Sequence, residues 1–225
     1  MVYAYYKDSL SGERLKRVYE IAPPRVQRYL EAETGHVAEA ISQGAKVLEL
    51  GCGYGRIFPE LAKKAGNVVG IDTSLANIKL GTKELAYLSH CHLLCMDASR
   101  LGFTDRQFDC TVCIQNGISA FHVDKMGLIR EALRVTRPGG KALFSTYSER
   151  FWDDRLDWFE LQAQEGLLGE IDYERTGDGV IVCRDGFTAT TVSPEDFGTL
   201  TCDLDAKVNL SEVDHSSLFC EITVL

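Results

Sequence analysis

The sequence predicts an α/β fold built on a doubly wound, mostly parallel sheet. Three observations carry this. A short apolar run, Val47-Leu48-Glu49-Leu50, breaks into glycines at alternate positions, Gly51, Gly53 and Gly55, before a helix-compatible stretch at 57–64. Further apolar runs follow at 67–72, 91–96 and 108–114. Between them lie helical spacings, such as Met126, Ile129 and Leu133. Continuous apolar runs read as strands buried on both faces, and strands alternating with helices build parallel sheets.

The glycine turn organises the chain. Glycines at every second position let the backbone approach a ligand closely and take positive φ. The helix start beyond them offers free N–H groups. A dinucleotide fingerprint needs the spacing G-x-G-x-x-G. Here Arg56 stands at the last glycine's position, and an acid, Glu49, lies two residues before Gly51.

Composition narrows the partners. The 225 residues suit one α/β domain with an elaboration. A 45% hydrophobic content allows a sizeable core, and the net charge of −9 argues against a nucleic-acid partner. No apolar run reaches the ~18 residues of a membrane span. The stretch MVYAYYKDSL lacks the apolar core of a secretion signal, so a cytoplasmic location is expected. Eight cysteines raise the question of a metal. Cys110 and Cys113 form a C-x-x-C within a strand pattern, and residues three apart on a strand face opposite ways. Cys91 and Cys95 share a face but lack convergent partners. Core cysteines and no metal are the expectation.

In chain order, Tyr3, Tyr5 and Tyr6 make an aromatic arm, and Ser11 is a plausible cap for a helix to Glu20. Pro23-Pro24 opens a second helix over 25–33, and a further helical turn at 37–42 ends at Gly44. These 45 residues read either as a helical cover on the sheet or as a lid with Tyr5 or Tyr6 facing a ligand. The strand at 67–72 ends in Asp72, 21 residues after Gly51. A carboxylate there can accept both hydroxyls of a ribose. Asp72, Thr73 or Ser74 can equally cap the helix running to Leu88. A third strand, 91–96, leads into Asp97-Ala98, and a fourth, 108–114, into Gln115-Asn116-Gly117. Ligands bind at such carboxyl ends, beside the switch in strand order. His122 falls near the same rim. A helix over 125–136 meets a sharp stop at Arg137-Pro138-Gly139-Gly140, then a fifth strand over 141–147.

Four of these features in order resemble the class I S-adenosylmethionine (SAM)-dependent methyltransferases: VLELGCGYGR, Asp72, Asp97-Ala98, and LRVTRPGGKALFST. The resemblance covers about residues 45–147. It implies a Rossmann-like, mostly parallel seven-stranded sheet with an antiparallel last strand. Residues 1–45 are taken as an N-terminal helical lid; by that resemblance 46–147 are the SAM-binding core, 148–192 an inserted substrate cap, and 193–225 the final helix and strands. The cap segment carries Trp152, Trp158 and Phe159, then a hairpin around Arg184-Asp185-Gly186. Ser193-Pro194 starts the last helix.

The implied function is methyl transfer from SAM to a nitrogen, oxygen or sulfur of a small molecule, with S-adenosylhomocysteine as product. The implied cofactor residues are Glu49, Gly51, Cys52, Gly53, Gly55, Asp72, Thr73, Asp97, Ala98 and Gln115. Tyr6, Asn116, His122, Tyr147 and Trp152 are candidates for the acceptor side. An acidic chain with an aromatic cap suits an amine or cationic acceptor through cation–π contact. The cofactor carries the electrophile, so no catalytic dyad need be visible in the sequence. The rival readings are an NAD-dependent oxidoreductase, which Arg56 argues against, and a SAM-fold subunit that binds without catalysis.

Overall fold

The computed structural model describes Tyr5 and residues 9–225. Five strands alternate with helices and lie parallel: β1 (Lys46–Leu50), β2 (Asn67–Asp72), β3 (Cys91–Cys95), β4 (Phe108–Cys113) and β5 (Thr136–Tyr147). A short hairpin, β6 (Ile181–Val182) with β7 (Thr188–Ala189), stands apart from them. β8 (Ala206–Val213) and β9 (Ser217–Val224) complete a seven-stranded sheet of order β3-β2-β1-β4-β5-β9-β8. β9 is antiparallel to both its neighbours, so six strands run one way and β9 the other. The order reverses between β1 and β4, which places a crevice at their carboxyl ends.

Alternation along the strands sorts the core into two layers. Leu48, Leu50 and Cys113 pack on one side with the helix Lys125–Val135. Val47 and Cys110 pack on the other with Phe58 and Val37. Cys110 and Cys113 thus face opposite ways, as strand geometry requires. All eight cysteines are free, and no cluster of metal-binding side chains occurs among the described residues. Nor is any described helix long and apolar enough to cross a membrane.

The helices are α1 (Glu13–Glu20), α2 (Pro24–Ala40), α3 (Phe58–Leu61), α4 (Leu75–Glu84), α5 (Gly117–Ala120), α6 (Lys125–Val135), α7 (Trp152–Gln164) and α8 (Pro194–Thr201). Ser193 caps α8 in a reciprocal capping box with Asp196, and proline follows at the first turn. Several boundaries differ from the sequence expectation. Gly12, not Ser11, caps α1; its φ is 59°, and its N–H donates to Asn77 Oδ1 at 2.6 Å. The two helices expected over 25–42 are one, because Gly35 sits within an otherwise favourable run. The helix after the glycine turn is a single short turn, α3, and α4 stops at Glu84 rather than Leu88.

The expected stop at 137–140 is instead a bulge inside β5. Thr136 pairs with Phe108 and Lys141 with Cys110, so residues 137–140 lie opposite Asp109. Gly139, at φ 74°, lets the excess chain fold outward. The strand therefore begins directly after α6.

A third core joins the N-terminal helices to the segment after β5. Val18, Val26, Tyr29 and Leu30 pack with Phe151, Trp158, Phe159 and Phe187. Trp158 Nε1 donates to Val18 O at 3.1 Å, and Arg14 Nη2 donates to Gly166 O and Leu167 O at 2.8 and 3.0 Å. The Arg155 guanidinium, only 1% exposed, donates to Gly179 O and Ala189 O and lies 4.5 Å over the Tyr147 ring. Buried arginine is tolerated because its planar donors find backbone acceptors and ring faces.

Candidate active site

The carboxyl ends of β1, β2 and β4, with α1 and α7 above them, enclose a cavity of about 470 Å³. The glycine turn forms its floor. Gly51, Gly53 and Gly55 take φ of 69°, 56° and 76°, a region costly for other residues. A Cβ on Gly51 would stand 2.4 Å from Phe121 Cζ, so the ring presses against bare backbone. Gly55 serves a different end. Its Cβ would strike Leu85, it packs against Phe58, and it does not line the cavity.

Asp72, at the end of β2, is held by the loop it faces. Its Oδ2 accepts from Gly53 N at 3.0 Å, and its Oδ1 from Ser74 N at 2.8 Å and Asn77 Nδ2 at 3.1 Å. Burial raises its pKa, and these donors act against that. Ser74, not Asp72 or Thr73, caps α4. Asp72 and Thr73 line the cavity. Asp97 lines it too, with Oδ1 accepting from Ser99 N and Ser99 Oγ at 2.8 and 2.7 Å. Ala98, Cys52, His122 and Tyr147 also reach the cavity wall.

Gln115 lines the cavity, and its Oε1 accepts from Tyr19 Oη at 2.9 Å. Its neighbour Asn116 does not reach the cavity. Asn116 is buried, its Nδ2 donates to Thr190 O at 2.8 Å, and its Oδ1 accepts from Thr146 Oγ1 at 2.8 Å. That side chain is spent on holding the chain after β7 to β5. Trp152 also lies off the cavity; Trp158, on another face of α7, takes the place expected of it. Tyr6 lies outside the described residues.

Charge is the least expected feature. Glu49 is buried, and burial pushes its carboxyl up to about 8, with the Arg56 guanidinium pulling down and Asp72 pushing further up. Glu49 Oε2 and Arg56 Nη2 are both buried without a hydrogen-bond partner, and both residues line the cavity. Arg56 lies 4.9 Å over the Tyr19 ring. In the sequence Arg56 stands out only as a break in a glycine pattern. Tyr19, Tyr29, Asn77, Phe121 and Gln162 also line the cavity and were not singled out. No short motif marks them, since they come from helices brought over the sheet by the fold.

A glycine-turn floor, an acid at the end of the second strand and a seven-stranded sheet with one reversed strand define an α/β domain of methyltransferase type. Residues 47–140 match the family model described as a methyltransferase domain. An arsenite methyltransferase from Aquipseudomonas alcaligenes is 31% identical over 170 residues, covering 68% of this chain and 47% of that protein. The chain spans about half the length of the curated relatives it matches. A SAM-dependent methyltransferase from Aquifex aeolicus has the same fold, with a TM-score of 0.64 at 15% identity over 93% of this chain and 98% of that one. The N-methyltransferase NodS from Bradyrhizobium japonicum, solved with S-adenosylhomocysteine, superposes with a TM-score of 0.60 at 15% identity over 93% of this chain and 96% of that one. Residues 47–140 thus carry a methyltransferase domain, set in the fold of the SAM-dependent methyltransferases.

Proposed function

We propose that this protein binds SAM in the cavity and directs methyl transfer to a small-molecule acceptor. The observation that carries this is the pair Glu49 Oε2 and Arg56 Nη2. An acid and a cation face one cavity, each with an unused hydrogen-bonding atom. A buried polar atom without a hydrogen-bond partner is costly, so such a pair calls for a ligand that completes it. An α-amino acid does so, its ammonium on Glu49 and its carboxylate on Arg56. A dinucleotide has no such zwitterion at its centre.

The remaining roles follow from position. Gly51, Cys52 and Gly53 admit the methionine chain close to backbone. Asp72, with Thr73 beside it, takes the ribose hydroxyls. Asp97 and Ala98 meet the adenine, the carboxylate accepting from the exocyclic amine. Gln115 stands at the methionine end. Bound SAM supplies the electrophile, a sulfonium methyl that an acceptor nitrogen, oxygen or sulfur displaces. The chain's part is to orient both partners and exclude water.

The acceptor wall is aromatic: Tyr19, Tyr29, Tyr147, Trp158 and Phe159, with the buried amide of Gln162. Arg56 and Arg155 already lie over the Tyr19 and Tyr147 rings. Those guanidinium groups repel a cation, so the acceptor is read as a neutral molecule rather than the cation that composition alone favoured. A neutral amine remains within this class. His122 is the one imidazole on the cavity wall among the described residues. It is the candidate base for an acceptor that must lose a proton.

The test compares S-adenosylhomocysteine with 5′-methylthioadenosine, which lacks the amino-acid end. Glu49→Gln and Arg56→Met should each weaken S-adenosylhomocysteine by about tenfold, ~1.4 kcal/mol, and leave methylthioadenosine almost unchanged. Equal losses for both ligands, or tighter binding of NADH than of either, would overturn the assignment.

A further inference from the structure

The chain turns sharply where β4 meets the cavity. Gln115 and Asn116 are both left-handed, with φ of 53° and 61°. Asparagine tolerates this region, but it is costly for Gln115, and strain of this kind persists only where the surroundings impose it. The restraint on Gln115 comes from far away in sequence. Glu33, on α2, is fully buried. Its Oε2 accepts from Gln115 N at 3.1 Å, and its Oε1 from Ser217 Oγ at 2.9 Å. Gln115 N also donates to Ser145 Oγ at 2.9 Å. One carboxylate thus ties a helix before the sheet to β4 and to the start of β9.

Glu33 is an expensive way to hold a turn. Burial pushes its carboxyl up to about 7, against hydrogen bonds from Ser145 and Ser217, the charge of Arg56 and the Gln115 amide, which pull it down. Its titratable neighbours are the phenols of Tyr19, Tyr29 and Tyr147 and the thiol of Cys113, which burial keeps protonated. Arg56 is the cation that acts on it, and makes no salt bridge with it. A buried carboxylate without a paired cation usually lowers stability relative to an apolar residue of the same size. Such a group is retained where it does something that packing cannot.

We propose that Glu33 is a positioning residue: by accepting the Gln115 amide proton it holds the left-handed Gln115–Asn116 turn, and through it the Gln115 side chain, at the methionine end of the cavity. The proposal rests on reading that cavity as a SAM site. It puts part of the control of methyl-donor geometry on α2, outside every glycine and acid motif. Gln115 then presents its amide to the cavity while its Oε1 is fixed by Tyr19.

The test uses the full chain and S-adenosylhomocysteine as the probe. Glu33→Met removes the acceptor and the buried charge together. It should melt at the same temperature as wild type or higher at pH 8, yet bind S-adenosylhomocysteine at least tenfold more weakly. Glu33→Gln should keep near-wild-type affinity, because Ser217's hydroxyl can turn to accept and the amide oxygen still serves Gln115 N. In a Gln115→Gly background, where the left-handed turn needs no restraint, Glu33→Met should cost less than threefold. Unchanged affinity in folded Glu33→Met overturns the proposal. So does an equal loss in Glu33→Gln, or a loss undiminished by Gln115→Gly. Absence of binding by wild type would instead overturn the SAM reading itself.

Discussion

At the scale of single residues, Glu49 sets a pH dependence. Its carboxyl is raised to about 8 and that of Glu33 to about 7, both from an ordinary 4.5. A raised acid favours the folded state while protonated. Its contribution is complete below the ordinary carboxyl range and is lost as pH rises through about 7 and 8. The ligand-free protein should therefore melt at a lower temperature at pH 8.5 than at pH 6, and Glu49→Gln should flatten part of that slope. A ligand ammonium reverses the preference, since it needs the carboxylate. S-adenosylhomocysteine affinity should rise between pH 6 and pH 8 in the wild type and stay flat in Glu49→Gln. Titration calorimetry in buffers of differing ionisation enthalpy checks the proton released on binding. Much of the cavity lining was legible beforehand. Gly51, Gly53, Asp72, Asp97 and Gln115 are marked by strand ends, and all line the cavity. Asn116 was misread because adjacency to Gln115 does not set direction, and its amide turns to Thr190. Arg56 carried a signal, a cation directly after the glycines, that pattern matching discarded. Glu33 carried none; its partners, Gln115 and Ser217, lie 82 and 184 residues away.

At the scale of elements, α4 presses on the glycine turn through Gly81. A Cβ there would stand 2.5 Å from the Tyr54 carbonyl oxygen and 2.5 Å from Leu93 Cδ1. Alanine is ordinarily favoured over glycine within a helix by about 1 kcal/mol. Here the backbone contact wins, and Gly81→Ala should lower stability by roughly 1–3 kcal/mol in urea unfolding, as overpacked cores do. A stabilised variant would show that α4 can move away from the turn. The strands were the readable elements, because a short apolar run that ends in an acid and a turn fits little besides a buried strand. Helix ends were less so. Pro138-Gly139-Gly140 reads as a stop from composition, yet β5 absorbs it as a bulge because β4 supplies the pairing on either side. The stretches read separately as 25–33 and 37–42 are joined in the single helix α2, which runs through Gly35.

At the scale of the whole molecule, the N-terminal helices and the segment after β5 form one apolar core above the cavity. Arg14 binds α1 to the carbonyls after α7, and Tyr5 Oη donates to Asp185 Oδ2 at 2.7 Å. We predict that ligand exchange parts these two pieces. Arg14→Met should speed S-adenosylhomocysteine dissociation severalfold in stopped-flow, with little change in the urea midpoint. An unchanged off-rate would place the entry route elsewhere. This joint cover was only half legible. The aromatic content of 151–161 announced a buried surface, but its partner, α1, could not be paired with it from spacing alone. Asp72 and the glycine turn are proposed to hold SAM. Isothermal titration of the wild type and Asp72→Ala with S-adenosylhomocysteine tests this proposal most directly. Micromolar-range binding, of order 8 kcal/mol, that weakens by at least tenfold in the variant is expected. No binding by folded wild type, or equal binding by both, would contradict it.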